Sequence, residues 1–182
     1  MNSQTPDSPP RPMLIAALVV AVAAALAVLV VAALVQRPSA PAPIAIASAP
    51  APNADSPDCD ALIAALPERL GDYTRAPVRQ PAPAGTAAWQ AEDREGAIIL
   101  RCGLDRPLEF VVGAPLQVVD AVQWFRVTDQ ASEGRSTWFA VDRPVYVALT
   151  LPTGSGPTPI QAISEAVSAS LPAGPLDPAP AR

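Results

Sequence analysis

No charged or polar side chain interrupts residues 13–35, an apolar run of 23 positions. At about 1.5 Å rise per residue such a run reaches roughly 34 Å as a helix, enough to cross the hydrocarbon core of a bilayer. Only a helix satisfies its own backbone in that environment. A buried helix of a soluble domain would carry a polar stripe, and this run has none. Arg11 and Pro12 stop it on one side, and Gln36, Arg37 and Pro38 on the other. The pattern predicts a transmembrane helix over 13–35, preceded by a short cytoplasmic segment, 1–12. The competing reading is a cleaved signal sequence. Ala45-Ile46-Ala47 and Ala47-Ser48-Ala49 have the small-x-small form of a cleavage site, and cleavage there would make the protein secreted. Both sites, however, lie well past an apolar region longer than the roughly 7–15 residues that signal peptides use.

Beyond the run, residues 36–57 are almost wholly Pro, Ala and Ser. Such a composition cannot build a core and favours an extended, polyproline-like spacer of up to about 60 Å. A folded domain is expected over 58–171. Asp58 is placed to cap a helix in which Cys59, Leu62, Ile63, Leu66 and Leu70 recur at helical spacing, with a kink at Pro67 and an end near Gly71. Ile98, Leu100 and Cys102 alternate with Ile99 and Arg101, which predicts a strand over 97–102 with Cys102 facing the helix. Further strands are expected over 109–112, 122–127, 137–141 and 145–151, the last with Val145, Val147, Leu149 and Leu151 on one face. Thr158-Pro159 then places a cap and a first-turn proline ahead of the stripe Ile160, Ile163, Val167 and Leu171. The fold class is therefore α+β: a small antiparallel or mixed sheet flanked by an N-terminal and a C-terminal helix, preceded by the transmembrane helix. Residues 172–182 repeat the spacer's composition and read as a disordered tail.

Charge adds exclusions more than assignments. The formal net charge is −5 with no basic cluster, so nucleic-acid binding has no electrostatic footprint. All 12 basic residues are Arg and there is no His. That removes Ser-His-Asp and Cys-His catalysis, and with no Lys there is no Ser-Lys dyad, Schiff base or P-loop lysine. Glu92, Asp93 and Glu95 beside Arg94 read as a solvated turn; they lack the pattern of a calcium loop, and nothing fixes the separation a glycosidase pair requires. No catalytic, metal or cofactor-binding residue is assigned. The two cysteines, Cys59 and Cys102, exclude a multi-cysteine metal site. They either pair, closing a loop of about 44 residues worth roughly 4 kcal/mol, or are two buried thiols. A pair persists outside the cytoplasm, which would orient the domain there.

Three residues are candidates for an interaction surface. Arg101, beside Cys102 on a strand, faces away from the core if Cys102 faces in, and its guanidinium suits a carboxylate or phosphate; a plain ion pair with a neighbouring acid is the alternative. Trp124-Phe125 and Trp138-Phe139 are adjacent aromatics on predicted strands, so one of each pair points to either face and up to two are exposed.

Cys59-Asp60-Ala61-Leu62, Ala87-Ala88-Trp89 and Leu100-Arg101-Cys102-Gly103 resemble blocks of the actinobacterial family known as domain of unknown function 3515. Val122-Gln123-Trp124-Phe125, the stretch 139–143 and Tyr146-Val147 followed by Pro152 resemble its later blocks. The chain departs from the family pattern at Asp120-Ala121, where Asn-Gly is expected, and at Asp142, where Gly is expected. The resemblance implies a membrane-anchored or exported protein with two paired cysteines, and it supplies no catalytic residue. The expected function is a non-enzymatic module that binds an envelope protein or wall component. The alternative is a carboxylate-dependent envelope enzyme acting on glycan or peptide, which needs two acids converging in a cleft.

Overall fold

A computed structural model describes residues 11–35, 42–127 and 134–181. The chain divides into two units, Met1–Ala40 and Pro41–Arg182. In the first, helix α1 spans Arg11–Val35. It is long and apolar enough to cross a membrane, and the side chains along Leu14–Ala32 are not buried. Most of the expected N-terminal segment and residues 36–41 of the expected spacer lie outside the described residues.

The second unit is built on one eight-stranded antiparallel sheet: β1 (Arg69–Leu70), β2 (Tyr73–Ala76), β3 (Thr86–Gln90), β4 (Ile98–Leu104), β5 (Leu116–Val119), β6 (Val122–Val127), β7 (Arg135–Ala140) and β8 (Tyr146–Pro152). The spatial order β1-β2-β3-β4-β8-β7-β6-β5 is two four-stranded meanders joined where β8 returns to pair with β4. Helix α2 (Pro57–Ala65) precedes the sheet and α3 (Thr158–Ser170) follows it, which gives the α+β class the pattern predicts.

The core forms because period-two alternation on the strands meets the helical stripes. Leu100, Cys102, Trp124, Val147, Leu149 and Leu151 share one buried cluster with Cys59 and Leu62 of α2 and Ile160, Ile163 and Val167 of α3. Both helices therefore cover the same sheet face. The disulfide Cys59–Cys102, with Cα atoms 5.6 Å apart, fastens α2 to β4 across this core. The opposite face carries a smaller cluster of Phe110, Phe125 and Val141, with Phe139, Tyr146 and Leu116 packed against it.

Several elements differ from their sequence reading. Ser56, not Asp58, caps α2, its Oγ accepting from the Cys59 amide at 3.3 Å. Pro67 does not kink this helix. The helix has already ended at Leu66, because a residue followed by proline is pushed out of the α region, and Leu70 belongs to β1. Pro157 rather than Thr158 holds the cap position of α3, and no side chain caps that end. The stretch 109–112 is a tight turn outside the sheet, with the Phe110 amide donating to the Pro107 carbonyl at 3.0 Å. Strands β1, β2, β3 and β5 were not anticipated, being short, alanine-rich or at an edge.

The proline-rich ends also depart from expectation. From Ile44 onward the N-terminal segment lies on the domain: the Ile44 amide donates to the Pro77 carbonyl and the Arg79 amide to the Ile44 carbonyl, each at 2.8 Å. Ile46 and Ala54 are buried, and the Asn53 amide donates to the Gly103 carbonyl at 3.0 Å. At the other end, the Val112 amide donates to the Ala179 carbonyl at 2.8 Å and the Ala179 amide to the Phe110 carbonyl at 2.9 Å. Asp177 accepts an ion pair from Arg106 at 2.8 Å. Proline disfavours regular structure but not single strand-like pairings at an edge.

Candidate functional site

The alternation of β4 that sends Leu100 and Cys102 into the helix-side core sends Ile99 and Arg101 to the other face, where both are half-buried. Register fixes what surrounds Arg101 there. It lies opposite Ala148 on β8, and Ala148 lies opposite Phe139 on β7. One step along the strands, Thr150 pairs with Thr137 and their hydroxyls are hydrogen-bonded to each other at 3.1 Å. The segment at Ala49 and Pro50 forms one wall over this floor, and the loop from Leu104 to Leu108 forms the other. The groove is open to solvent and has a volume of about 520 Å³. Leu108 stands on its rim with 76% of its surface exposed.

The electrostatics of the groove centre on Arg101. Its Nη2 donates to the Ala47 carbonyl at 3.4 Å, and its Nε is buried without a hydrogen-bond partner. Burial with no compensating carboxylate holds the guanidinium below its usual range. Among the described residues no ion pair reaches it, so the simple surface salt bridge considered from sequence is absent. Arg106, on the same wall, is engaged by Asp177.

The aromatic candidates separate. Trp124 is fully buried among the residues between sheet and helices, and its Nε1 donates to Ser164 Oγ on α3 at 2.9 Å. It offers no surface, and the surface role expected for it is withdrawn. Its neighbour Phe125 is buried on the opposite face, because both faces of the central strands are covered and alternation exposes neither. Trp138 is half-buried, with the Arg126 guanidinium 5.3 Å from its ring centroid and its Nε1 donating to Ser136 Oγ at 3.1 Å. It lines a second groove of about 640 Å³ between β7, the 153–157 loop and the start of α3. Arg101 and Trp138 therefore serve different faces, and no common surface unites the three candidates.

The acids do not converge. Asp72 pairs with Arg94 at 2.9 Å, and Arg94 also donates to the Gly154 carbonyl at 2.8 Å, so the solvated turn around Glu92, Asp93 and Glu95 is pinned through its arginine. Of the residues lining the two grooves only Asp105 carries a carboxylate. No cluster of three metal-ligating side chains occurs among the described residues. Sequence reasoning missed Asp142 and Arg143. They form a buried ion pair at 3.0 Å in which Arg143 Nη2 also donates to the Ala121 carbonyl at 2.8 Å. Their adjacency beside Pro144 looks like an ordinary turn, so no sequence signal marks the burial.

Comparison with curated proteins and with solved structures finds no match. A family model described as protein of unknown function (DUF3515) matches residues 18–176, nearly the whole chain, and the protein therefore belongs to the DUF3515 family.

Proposed function

We propose that this protein is a membrane-anchored, extracytoplasmic binding module of an actinobacterial cell envelope, held by α1 and working through the second face of its sheet rather than by catalysis. The observation that carries the binding role is the groove at Arg101: a guanidinium half-buried against apolar walls, lacking an acid partner and without a pair of carboxylates beside it. Such a site recognises an anion; it holds no general acid–base pair. Anchoring is supported by the length and apolarity of α1, and the extracytoplasmic address by the disulfide. The partner is an envelope protein or a wall component.

The test has two arms. In cell fractionation the chain should stay with membranes after an alkaline wash, and a mature chain beginning near Ser48 in the culture medium would replace the anchor with a signal sequence. In a deletion strain, Glu92→Gln, Asp93→Asn, Glu95→Gln and Asp120→Asn should each complement as wild type does. Loss of complementation by one of these in a folded, membrane-retained protein would overturn the binding reading in favour of a carboxylate enzyme.

A further inference from the structure

We propose that the groove on the second sheet face binds a single-chain amphiphile with a carboxylate head, the head paired with Arg101 and the chain lying along Ala148, Phe139 and Leu104; this deepens the binding-module reading and rests on it. Three observations choose the occupant. The first is the arginine itself. A buried guanidinium Nε with no acceptor is costly, and one long bond to the Ala47 carbonyl leaves the fork mostly unused. Nε itself is closed off from the groove, but a carboxylate there can accept from the Nη groups and give the guanidinium the charge-assisted partner it lacks.

The second observation is the charge of the walls. Arg106 is tied to Asp177 at 2.8 Å in a neutral pair, so Arg101 faces the ligand with Asp105 as the one carboxylate lining the groove. Arg101 and Asp105 offset each other, so a bound monoanion leaves the groove with one net negative charge. A phosphate monoester would bring a second one against Asp105, which disfavours it. The third is the remaining surface. Ala49, Pro50, Pro107 and Leu108 add apolar walls, and the Thr137 and Thr150 hydroxyls are spent on each other. The body of the ligand therefore meets mainly apolar surface, and about 520 Å³ lies within the range of small-molecule pockets.

The probes are octanoate, octyl phosphate and octanol, titrated at pH 7.5 into the full chain in phosphatidylcholine nanodiscs. Binding is read by saturation-transfer NMR against nanodiscs without protein. Octanoate should bind at least tenfold more tightly than either analogue. Arg101→Gln should weaken octanoate at least tenfold while leaving octanol unchanged. Leu108→Asp, on the exposed rim where folding is not at stake, should weaken octanoate as well. Replacing a third of the lipid with phosphatidylglycerol should leave octanoate binding unchanged. The proposal is overturned by a folded chain that octanoate does not saturate, by octanol or octyl phosphate binding as tightly, by unaltered octanoate binding in both variants, or by competition from phosphatidylglycerol, which would make the occupant a lipid headgroup. Each of these leaves the fractionation and complementation results standing, so failure here is separable from failure of the binding-module reading.

Discussion

Asp120 and Ala121 both lie in the left-handed region, at φ +45° and +58°, in the two-residue turn that joins β5 to β6. A hairpin this tight takes a turn with positive φ at both central residues, because that twist matches the strands. Asp tolerates the conformation, but Ala pays for its Cβ. Ala121→Gly should therefore raise stability by roughly 0.5–1 kcal/mol in urea unfolding followed by tryptophan fluorescence, the gain being reduced by the freedom Gly adds to the unfolded chain. The same turn is held from behind by Arg143, whose side chain is almost wholly buried with Asp142. Arg143→Met should cost about 3–5 kcal/mol in that assay, since it strands the Asp142 carboxylate and the Ala121 carbonyl. Gly103 shows the opposite constraint: at φ +82° a Cβ there would run into the backbone of Asn53 and Ala54, so Gly103→Ala should be strongly destabilising. Residue identity hints at turns and at a special glycine. It does not reveal that an Asp-Arg dipeptide is buried, because that depends on the hairpin it meets.

Strand β4 illustrates what an element's own pattern can say. Its alternation was readable, and it correctly assigned Cys102 inward and Arg101 outward, since a period of two is a property of the strand alone. Helix α2 was also readable, though its end was set earlier by Pro67 than the apolar spacing implied. The disulfide between these elements closes a long loop, and Cys59→Ser or Cys102→Ser should cost about 4 kcal/mol in urea unfolding compared with the oxidised wild type. Segment 42–57 looked incapable of packing because its composition is so poor in large apolar residues. Its few exceptions proved decisive: Ile44 bridges to Val78, and Ile46 is buried. Ile46→Ala should therefore lower stability by about 2–3 kcal/mol, where a free spacer would show no change.

At the scale of the molecule, the two faces of the sheet differ in how they are covered. Helices α2 and α3 cover one; the other is covered by loop 105–115 and the C-terminal segment, which leaves the Arg101 groove open beside them. Removing residues 173–182 deletes the Ala179 pairings, the Asp177 ion pair and the Gly174 amide that satisfies the Asp142 carbonyl. About 3 kcal/mol should be lost with those three backbone bonds, seen as a lower urea midpoint. A tail free in solvent would give no shift. Sequence by itself determined the apolar helix α1, the α+β class and the inward faces of α3, β4 and β8. Each of these is a periodicity within one continuous stretch, and hydrophobic burial enforces it wherever the stretch ends up. Only the tertiary structure decided that Trp124 is core, that Arg143 is buried, that the proline-rich ends lie on the domain and that Arg101 overlooks a groove. Those outcomes depend on which strands become neighbours. The pairing of β4 with β8 brings together residues more than forty positions apart, a relation no local pattern encodes.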